Sequence, residues 1–437
     1  MRYFFMLLMF LVMRSTVVAQ PRTDTTLPVM TLQQAVAYSL EHQPTIRQAM
    51  VDEEITDQTI RSKLADWFPQ VNFAYTYQRN FKIQTAVIDG RVIELGVKNV
   101  SAARFMFSQT IFNRDVLLAS STKREVRLQA EQNTGSEKIE TVASVSKAYY
   151  DVLSSMQQVK VASENIVRID RSLRDAYNQY KAGVADKTDY KRATIALNNA
   201  KADLHSNQEL LKAKLEYLKT LMGFPVEQAI SLSYDSLKME QDAVVDTTMA
   251  VDFTGRIEYK LLQTQQHLLE ANLKYNRWAF LPSLELEGAY NFNYQNQAFK
   301  SLFSVNYPNS YALFTLAFPI FQGGKRRADI RSAEFQVERN KLELLNLKQV
   351  IHSEYAQAIA VYKSSLANYV ALKENLALAK EVYDVIQLQY KNGIKTYLEV
   401  INSETDLRTA SINYYTALYN LLASKVDVQR SLGLLTY

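Results

Sequence analysis

Cysteine is absent from all 437 residues, which removes disulfides, thiol chemistry and a lipid-modified amino-terminal cysteine. Proline is missing between Gln70 and Phe224 and again after Pro319. From Lys325 to Asn392 there is neither glycine nor proline. Helix interiors tolerate these two residues poorly, so the gaps mark stretches free to run as very long helices. Past the amino terminus no apolar run approaches the roughly 20 residues of a membrane-spanning helix. The four histidines, His42, His205, His267 and His352, fall on separate predicted helices without metal-ligand spacing and read as surface residues. There is no glycine-rich phosphate loop and no serine-nucleophile motif. Acids such as Asp52-Glu53-Glu54 read as a solvated helix face. No catalytic residue, cofactor or metal site is nominated, and the chain reads as a non-enzyme.

The amino terminus sets the compartment. Arg2 precedes an apolar run from Tyr3 to Met13, and small residues lead to Val17-Val18-Ala19, a cleavage site before Gln20. The run is too short to cross a bilayer of about 30 Å, so residues 1–19 are expected to be a signal peptide. Its removal takes away Arg2 and Arg14 and lowers the formal charge from +5 to +3, too small and too evenly spread for a nucleic-acid partner. A secreted chain without a spanning helix is soluble, peripheral or part of a β-barrel.

Next comes a duplication. Trp67-Phe68-Pro69 recurs as Phe280-Leu281-Pro282, and Phe112-Asn113-Arg114 as Phe321-Gln322-Gly323. Tyr180-Lys181-Ala182-Gly183-Val184 recurs as Tyr390-Lys391-Asn392-Gly393-Ile394, and Leu221-Met222-Gly223 as Ser431-Leu432-Gly433. The displacements are 213, 209, 210 and 210 residues, so four landmarks keep one order and nearly one spacing. The chain is expected to divide into a first repeat over 20–223, a linker over 224–251 and a second repeat over 252–437.

Each repeat reads helix, strand, strand, very long helix, turn and return helix. A helix of that length spans roughly 100 Å and must pair along its length. The pairing seam is a heptad through Val145, Tyr149, Val152, Met156 and Val159, continued by Ile166, Leu173 and Tyr180. Its duplicate runs through Tyr355, Ile359, Tyr362, Leu366, Tyr369, Leu376, Tyr383 and Tyr390, and the return helix carries Leu197, Ala200, Leu204, Leu211 and Leu218. The tyrosines read as seam packing. Gly183 and Gly393 stand where a left-handed helix cap favours glycine, so each long helix turns back as an antiparallel hairpin. Asn133-Thr134-Gly135-Ser136 is expected to interrupt or kink the first long helix.

Between the helices, Val71, Phe73, Tyr75 and Tyr77 alternate with polar or small residues, as do Leu284, Leu286, Gly288, Tyr290, Phe292 and Tyr294. Partner strands near Ala103 to Ile111 and Ala312 to Ile320 alternate less cleanly. These lengths suit tilted transmembrane strands with one apolar and one wet face, the latter including Asn291, expected to accept arginine. A soluble sheet wetted on one face is the other reading of the alternation. Four strands cannot close a barrel and an open edge cannot sit in lipid, so several subunits must share one barrel. The fold class is a mixed α+β membrane protein of coiled-coil hairpins and four transmembrane strands per subunit. A secreted coiled-coil scaffold is the alternative.

The opening Leu32-Gln33-Gln34-Ala35-Val36 with Glu41-His42-Gln43-Pro44, the Phe68-Pro69 and Leu281-Pro282 pairs before the strands, Phe321-Gln322-Gly323-Gly324, and the Tyr-x-x-Gly turns resemble the TolC-like outer-membrane efflux family from Thr31 to Gly433. The resemblance implies a homotrimer: a 12-stranded barrel in outer-membrane lipid, continuing into a periplasmic tunnel of 12 helices with residues 224–251 belting its middle. It implies a passive exit duct served by a periplasmic adaptor and an inner-membrane pump. It places a gate at the helix tips, at Asp189, Tyr390, Lys395 and Glu399, with Asp189 pairing to Lys395 or Tyr390. It places adaptor docking at Gly183, Val184, Gly393 and Ile394. Lys395 stands where the family pattern has arginine, and Asn402 where a second acid would sit. Lysine is a point charge and not a bidentate fork, which implies a looser latch.

Overall fold

The computed structural model describes residues 29–184, 186–233, 236–246 and 249–437; the expected signal peptide and its cleavage site lie outside them. In chain order the elements are β1 (Val29–Met30), α1 (Leu32–His42), α2 (Pro44–Ala65), β2 (Gln70–Arg79), β3 (Gln84–Ile88), β4 (Arg91–Leu95), β5 (Asn99–Phe112), α3 (Arg114–Lys181) and α4 (Lys187–Met222). They continue with β6 (Ser231–Leu232), α5 (Ser236–Asp242), α6 (Ile257–Arg277), β7 (Ser283–Asn296), β8 (Asn309–Ala317), α7 (Lys325–Lys391) and α8 (Tyr397–Ser431). The two long helices, 68 and 67 residues, reach roughly 100 Å each.

One antiparallel sheet joins the halves in the order β2-β5-β7-β8. Directly opposed residues share a face, and Phe73, Phe105, Tyr290 and Ser310 form one row across all four strands. Leu286 lies opposite Phe314 and Leu284 opposite Leu316 on that same face. Its rings pack against one another, with Phe73 and Phe105 centroids 4.9 Å apart and Tyr290 and Phe292 4.8 Å apart. The apolar face nevertheless stays open: Val71 is 70% exposed and Phe73 60%.

The opposite face carries Ala74, Arg104, Asn291 and Asn309 in one row. Arg104 Nε donates to Asn291 Oδ1 at 2.9 Å, and Asn291 Nδ2 donates to Asn309 Oδ1 at 2.6 Å. Asn291 is therefore buried in a polar ladder beside an arginine. A second arginine there would oppose Arg104, which corrects the expectation that this position accepts one; exposed Asn72 on the same face is the permissive site. β8 alternates poorly because Tyr311 and Leu313 put apolar side chains on the polar face as well.

Between β2 and β5 stands a hairpin that the duplicated pattern does not predict, β3 paired with β4. Asp89 and Gly90 both adopt positive φ, 49° and 69°, which two-residue hairpin turns require and which Asp-Gly supplies.

Along the helices, Val145, Tyr149, Val152, Tyr362 and Tyr369 are buried in one core with Leu218, Leu418 and Leu421. Several seam tyrosines also use their hydroxyls. Tyr149 donates to the carbonyls of Met30 and Ser233, both at 3.0 Å. Tyr362 donates to the Ala243 carbonyl at 2.9 Å and accepts from Val245 N–H at 3.0 Å, while Tyr355 donates to the Met249 carbonyl at 2.8 Å. Packing alone thus understates these residues. They strap the irregular segment after α4 onto the middle of the long helices.

α3 runs unbroken through Asn133-Thr134-Gly135-Ser136, which corrects the expected interruption. A Cβ on Gly135 would lie 2.8 Å from the Tyr437 hydroxyl, so the glycine makes room for that tyrosine. Gly223 has two constraints at once: φ is +66°, and a Cβ would meet the His42 carbonyl oxygen at 2.7 Å. Left-handed backbone costs a non-glycine residue about 1–2 kcal/mol, and the backbone overlap adds to it. At Gly183, with φ +76° and nothing within 4 Å, only the first cost applies. Gly223→Ala should therefore lower the thermal unfolding temperature, and by more than Gly183→Ala. Equal shifts would remove the role given to His42.

Candidate functional site

The hairpin tips are built twice by the same backbone bonds. After α3, Gly183 N–H donates to the Tyr180 carbonyl at 3.0 Å and Val184 N–H to the Gln179 carbonyl at 3.0 Å. After α7, Gly393 N–H donates to the Tyr390 carbonyl at 3.0 Å and Ile394 N–H to the Gln389 carbonyl at 2.9 Å. This paired pattern satisfies the last helical carbonyls and needs a left-handed residue; φ is 76° at Gly183 and 74° at Gly393. Val184 and Ile394 follow, 76% and 70% exposed. They are large apolar side chains left mostly open to solvent.

The return helices start on caps. Asp186 accepts from Thr188 N–H at 2.6 Å at the start of α4, and that bond holds its carboxyl below the usual carboxylate range. At the start of α8, Glu399 Oε2 accepts from Thr396 N–H at 2.9 Å, and Lys395 Nζ donates to Glu399 Oε1 at 2.6 Å. Lys395 first, and then the Thr396 N–H, hold the Glu399 carboxyl down to about 2. Glu399 is held as an anion at a helix start, where anions are favoured.

Of the expected gate residues, Asp189 is near enough for its charge to act on Tyr390, and Lys395 pairs with Glu399. Tyr390 donates to Gln179 Oε1 at 2.9 Å, tying the end of α7 to the end of α3. Its hydroxyl is pushed up by burial, then by the nearby charges of Asp189 and Asp175. Tyr397 is pushed up too, by burial and then by Glu404, Tyr390 and Asp189. Within the chain, Asp189 bonds neither Lys395 nor Tyr390 among the described residues: Glu399, in the first turn of α8, holds the lysine that precedes that helix. Within the single chain the bonds at these residues are Lys395–Glu399 and Tyr390–Gln179. Asn402 follows the Glu399 turn on exposed helix surface.

Tyr397, Gln179, Arg168 and Glu404 carry no sequence motif that marks them as site residues. Thr396-x-x-Glu399 does carry the capping-box signal, which identifies Glu399 as a cap. Gln179 has no comparable pattern; only the fold brings it to Tyr390.

A family model described as outer membrane efflux protein matches residues 36–224 and 261–434. The chain belongs to that family. It is an outer-membrane efflux protein, a transport duct component. Outer membrane protein OprJ of Pseudomonas aeruginosa is 23% identical over 404 residues, 92% of this chain and 84% of that protein. Outer membrane protein TolC of Escherichia coli strain K12 is 18% identical over 408 residues, 90% of this chain and 80% of that protein. Among solved structures, a membrane protein from Pseudomonas aeruginosa superposes with a TM-score of 0.73 at 21% identity, covering 92% of this chain and 93% of that one. The CmeC outer membrane channel of Campylobacter jejuni gives 0.73 at 15% identity, covering 92% and 85%. These likenesses establish the family fold.

Proposed function

We propose that three copies of this chain close a 12-stranded barrel in the outer membrane and a 12-helix periplasmic tunnel, forming the passive exit duct of a tripartite efflux or secretion system. The observation that carries this reading is the four-stranded sheet. It has one open aromatic face, one polar face and, among the described residues, two unpaired edges at β2 and β8. Lipid tolerates the aromatic face but not the edges, and neighbouring copies supply the missing strands. The repeats over 20–223 and 252–437 then each give one strand pair and one hairpin, with 224–251 as the belt. A periplasmic adaptor docks at Gly183, Val184, Gly393 and Ile394, and an inner-membrane pump supplies the energy. Outer-membrane fractionation with heat-modifiable oligomers tests the duct; a chain recovered as a soluble periplasmic species would return it to the scaffold reading.

The gate sits at Asp189, Tyr390, Lys395 and Glu399, repeated three times around the axis. Each exposed pair is worth only roughly 0.2–1 kcal/mol, so closure depends on the threefold repetition. Asp189→Ala combined with Lys395→Ala should raise single-channel conductance in a planar bilayer. Glu399→Gln leaves Lys395 without its counter-ion and should shift selectivity from cations toward anions. The effect should fade as salt rises and the Debye length falls from about 30 Å at 0.01 M to about 10 Å at 0.1 M. Because its carboxyl is depressed, Glu399 keeps its charge throughout the ordinary carboxylate range and loses it only toward pH 2. Wild-type selectivity should therefore be flat from about pH 8 down to about pH 5 as far as this group is concerned. Unchanged conductance in the double variant together with unchanged selectivity in Glu399→Gln would place the constriction elsewhere.

A further inference from the structure

Above the tips, the seam between the two hairpins buries a charge that the gate does not use. Near the turns the hairpins share a small core of Ala176, Ala193, Tyr390, Tyr397 and Val400. Glu404 lies one turn beyond Val400 on α8, facing α3, and is 4% exposed. Its ion pair is with Arg168 of α3, Nε to Oε1 at 3.5 Å. Both of those atoms are buried without a hydrogen-bond partner. A carboxylate enclosed in this way normally carries several short hydrogen bonds.

The surroundings offer little help. A cavity of about 230 Å3 adjoins the carboxylate, lined in part by Asn165, Asn199, Asp203, Tyr397 and Arg408. The Asn165 side-chain oxygen is buried without a partner as well. Arg408, on Glu404's own helix, donates to Asp203 of α4 at 2.8 Å and is committed there. From α7 comes Tyr383, whose buried hydroxyl lacks a partner and whose charged neighbours besides Glu404 are Arg168, Asp384 and Arg171. Every element packed around Glu404 thus contributes polar groups, and no short hydrogen bond to its Oε1 results.

We propose that Glu404 is a proton-operated catch on the α3–α8 seam: protonated, it keeps the hairpins packed, and ionised, it favours their separation and the entry of water. This rests on the duct reading, in which parting of the hairpins opens the periplasmic end. Burial pushes the Glu404 carboxyl up to about 7, with Arg168 and then Arg408 drawing it back only in part. A group that binds its proton more tightly when packed stabilises the packed form at low pH. That contribution is full below the ordinary carboxylate range and is lost as pH rises through about 7. Between about pH 6 and about pH 8 the opening equilibrium shifts by about tenfold per subunit.

The test uses the full-length purified protein in planar bilayers at about pH 6 and about pH 8, either side of the raised carboxyl. Wild-type open probability should rise with pH, and Glu404→Gln should stay at the acid-side level throughout. A rise that persists in Glu404→Gln overturns the catch. A protein that conducts at neither pH fails as a duct, which is a different outcome. Should Glu404→Gln not assemble, the native carboxylate can be followed by thiol labelling, because the chain has no cysteine. Ser403→Cys, at a buried position, should be labelled faster on the alkaline side than on the acid side, relative to Ser206→Cys at an exposed one. An unchanged ratio overturns the proposal.

Discussion

Phe73→Arg is expected to abolish assembly in the outer membrane, Leu286→Arg to impair it less, and Asn72→Lys to leave it unchanged. Phe73 lies in the row with Phe105 and Tyr290, midway along β5 and β7, whereas Leu286 sits four residues along β7 from that row. Arginine on the lipid face of a barrel costs about 2–4 kcal/mol at the bilayer midplane and falls toward about 0–1 at the interfaces. On the trimeric reading, closure would place three such charges in one membrane. Phe73 also loses its ring contact with Phe105 at 4.9 Å. Asn72 faces the other way and is exposed, so lysine there meets water. Membrane-fraction recovery of heat-modifiable oligomers measures all three. Equal recovery of Phe73→Arg and Asn72→Lys would mean that this face never meets lipid, and the barrel would go with it.

Val184→Glu with Ile394→Glu should reduce efflux to that of a strain lacking the protein while oligomers form normally. Both side chains are mostly exposed, and both turns are carried by backbone bonds and the neighbouring glycines. The turns therefore do not depend on these two side chains, and the substitutions test the proposed docking alone. An apolar side chain at the far end of each hairpin gains nothing from water, and burial against a partner returns about 25 cal/mol per Å2. A carboxylate removes that gain and adds a desolvation cost. Accumulation of a panel of dyes and antibiotics, beside a detergent-resistance assay for the oligomer, separates the two properties. Normal efflux in the double variant would move docking off the tips.

The repetitive parts of this molecule are legible in its residues alone. Alternation in Val71 to Tyr77 and Leu284 to Tyr294 assigns faces because a strand has a period of two. The heptad assigns Val145, Tyr149 and Tyr362 to the core because a packed helix pair has a period of 3.5. Features of two other kinds escape such periodicity. Some rest on a single local signal, such as Asp89-Gly90 between Val87-Ile88 and Arg91-Val92, or the Thr396-to-Glu399 cap. Others are long-range placements that leave no local trace. Gly135 looks like a helix break, yet its place is set by the Tyr437 hydroxyl beside it, and Tyr390 meets Gln179 across 211 residues. Glu404 is unreadable for the same reason: its burial depends on which face of α8 meets α3.

The two unpaired sheet edges have a consequence for how cells make this protein. A lone subunit offers β2 and β8 as open backbone, so on the trimeric reading insertion has to await partners and rises steeply with the supply of chains. A chain damaged at one edge would spoil the ring it joins. With equal amounts of sound and damaged chains mixing freely, only about one ring in eight would be wholly sound. Edge mutations in this gene should therefore behave as dominant, and the severity of co-expression should track the ratio of the two chains.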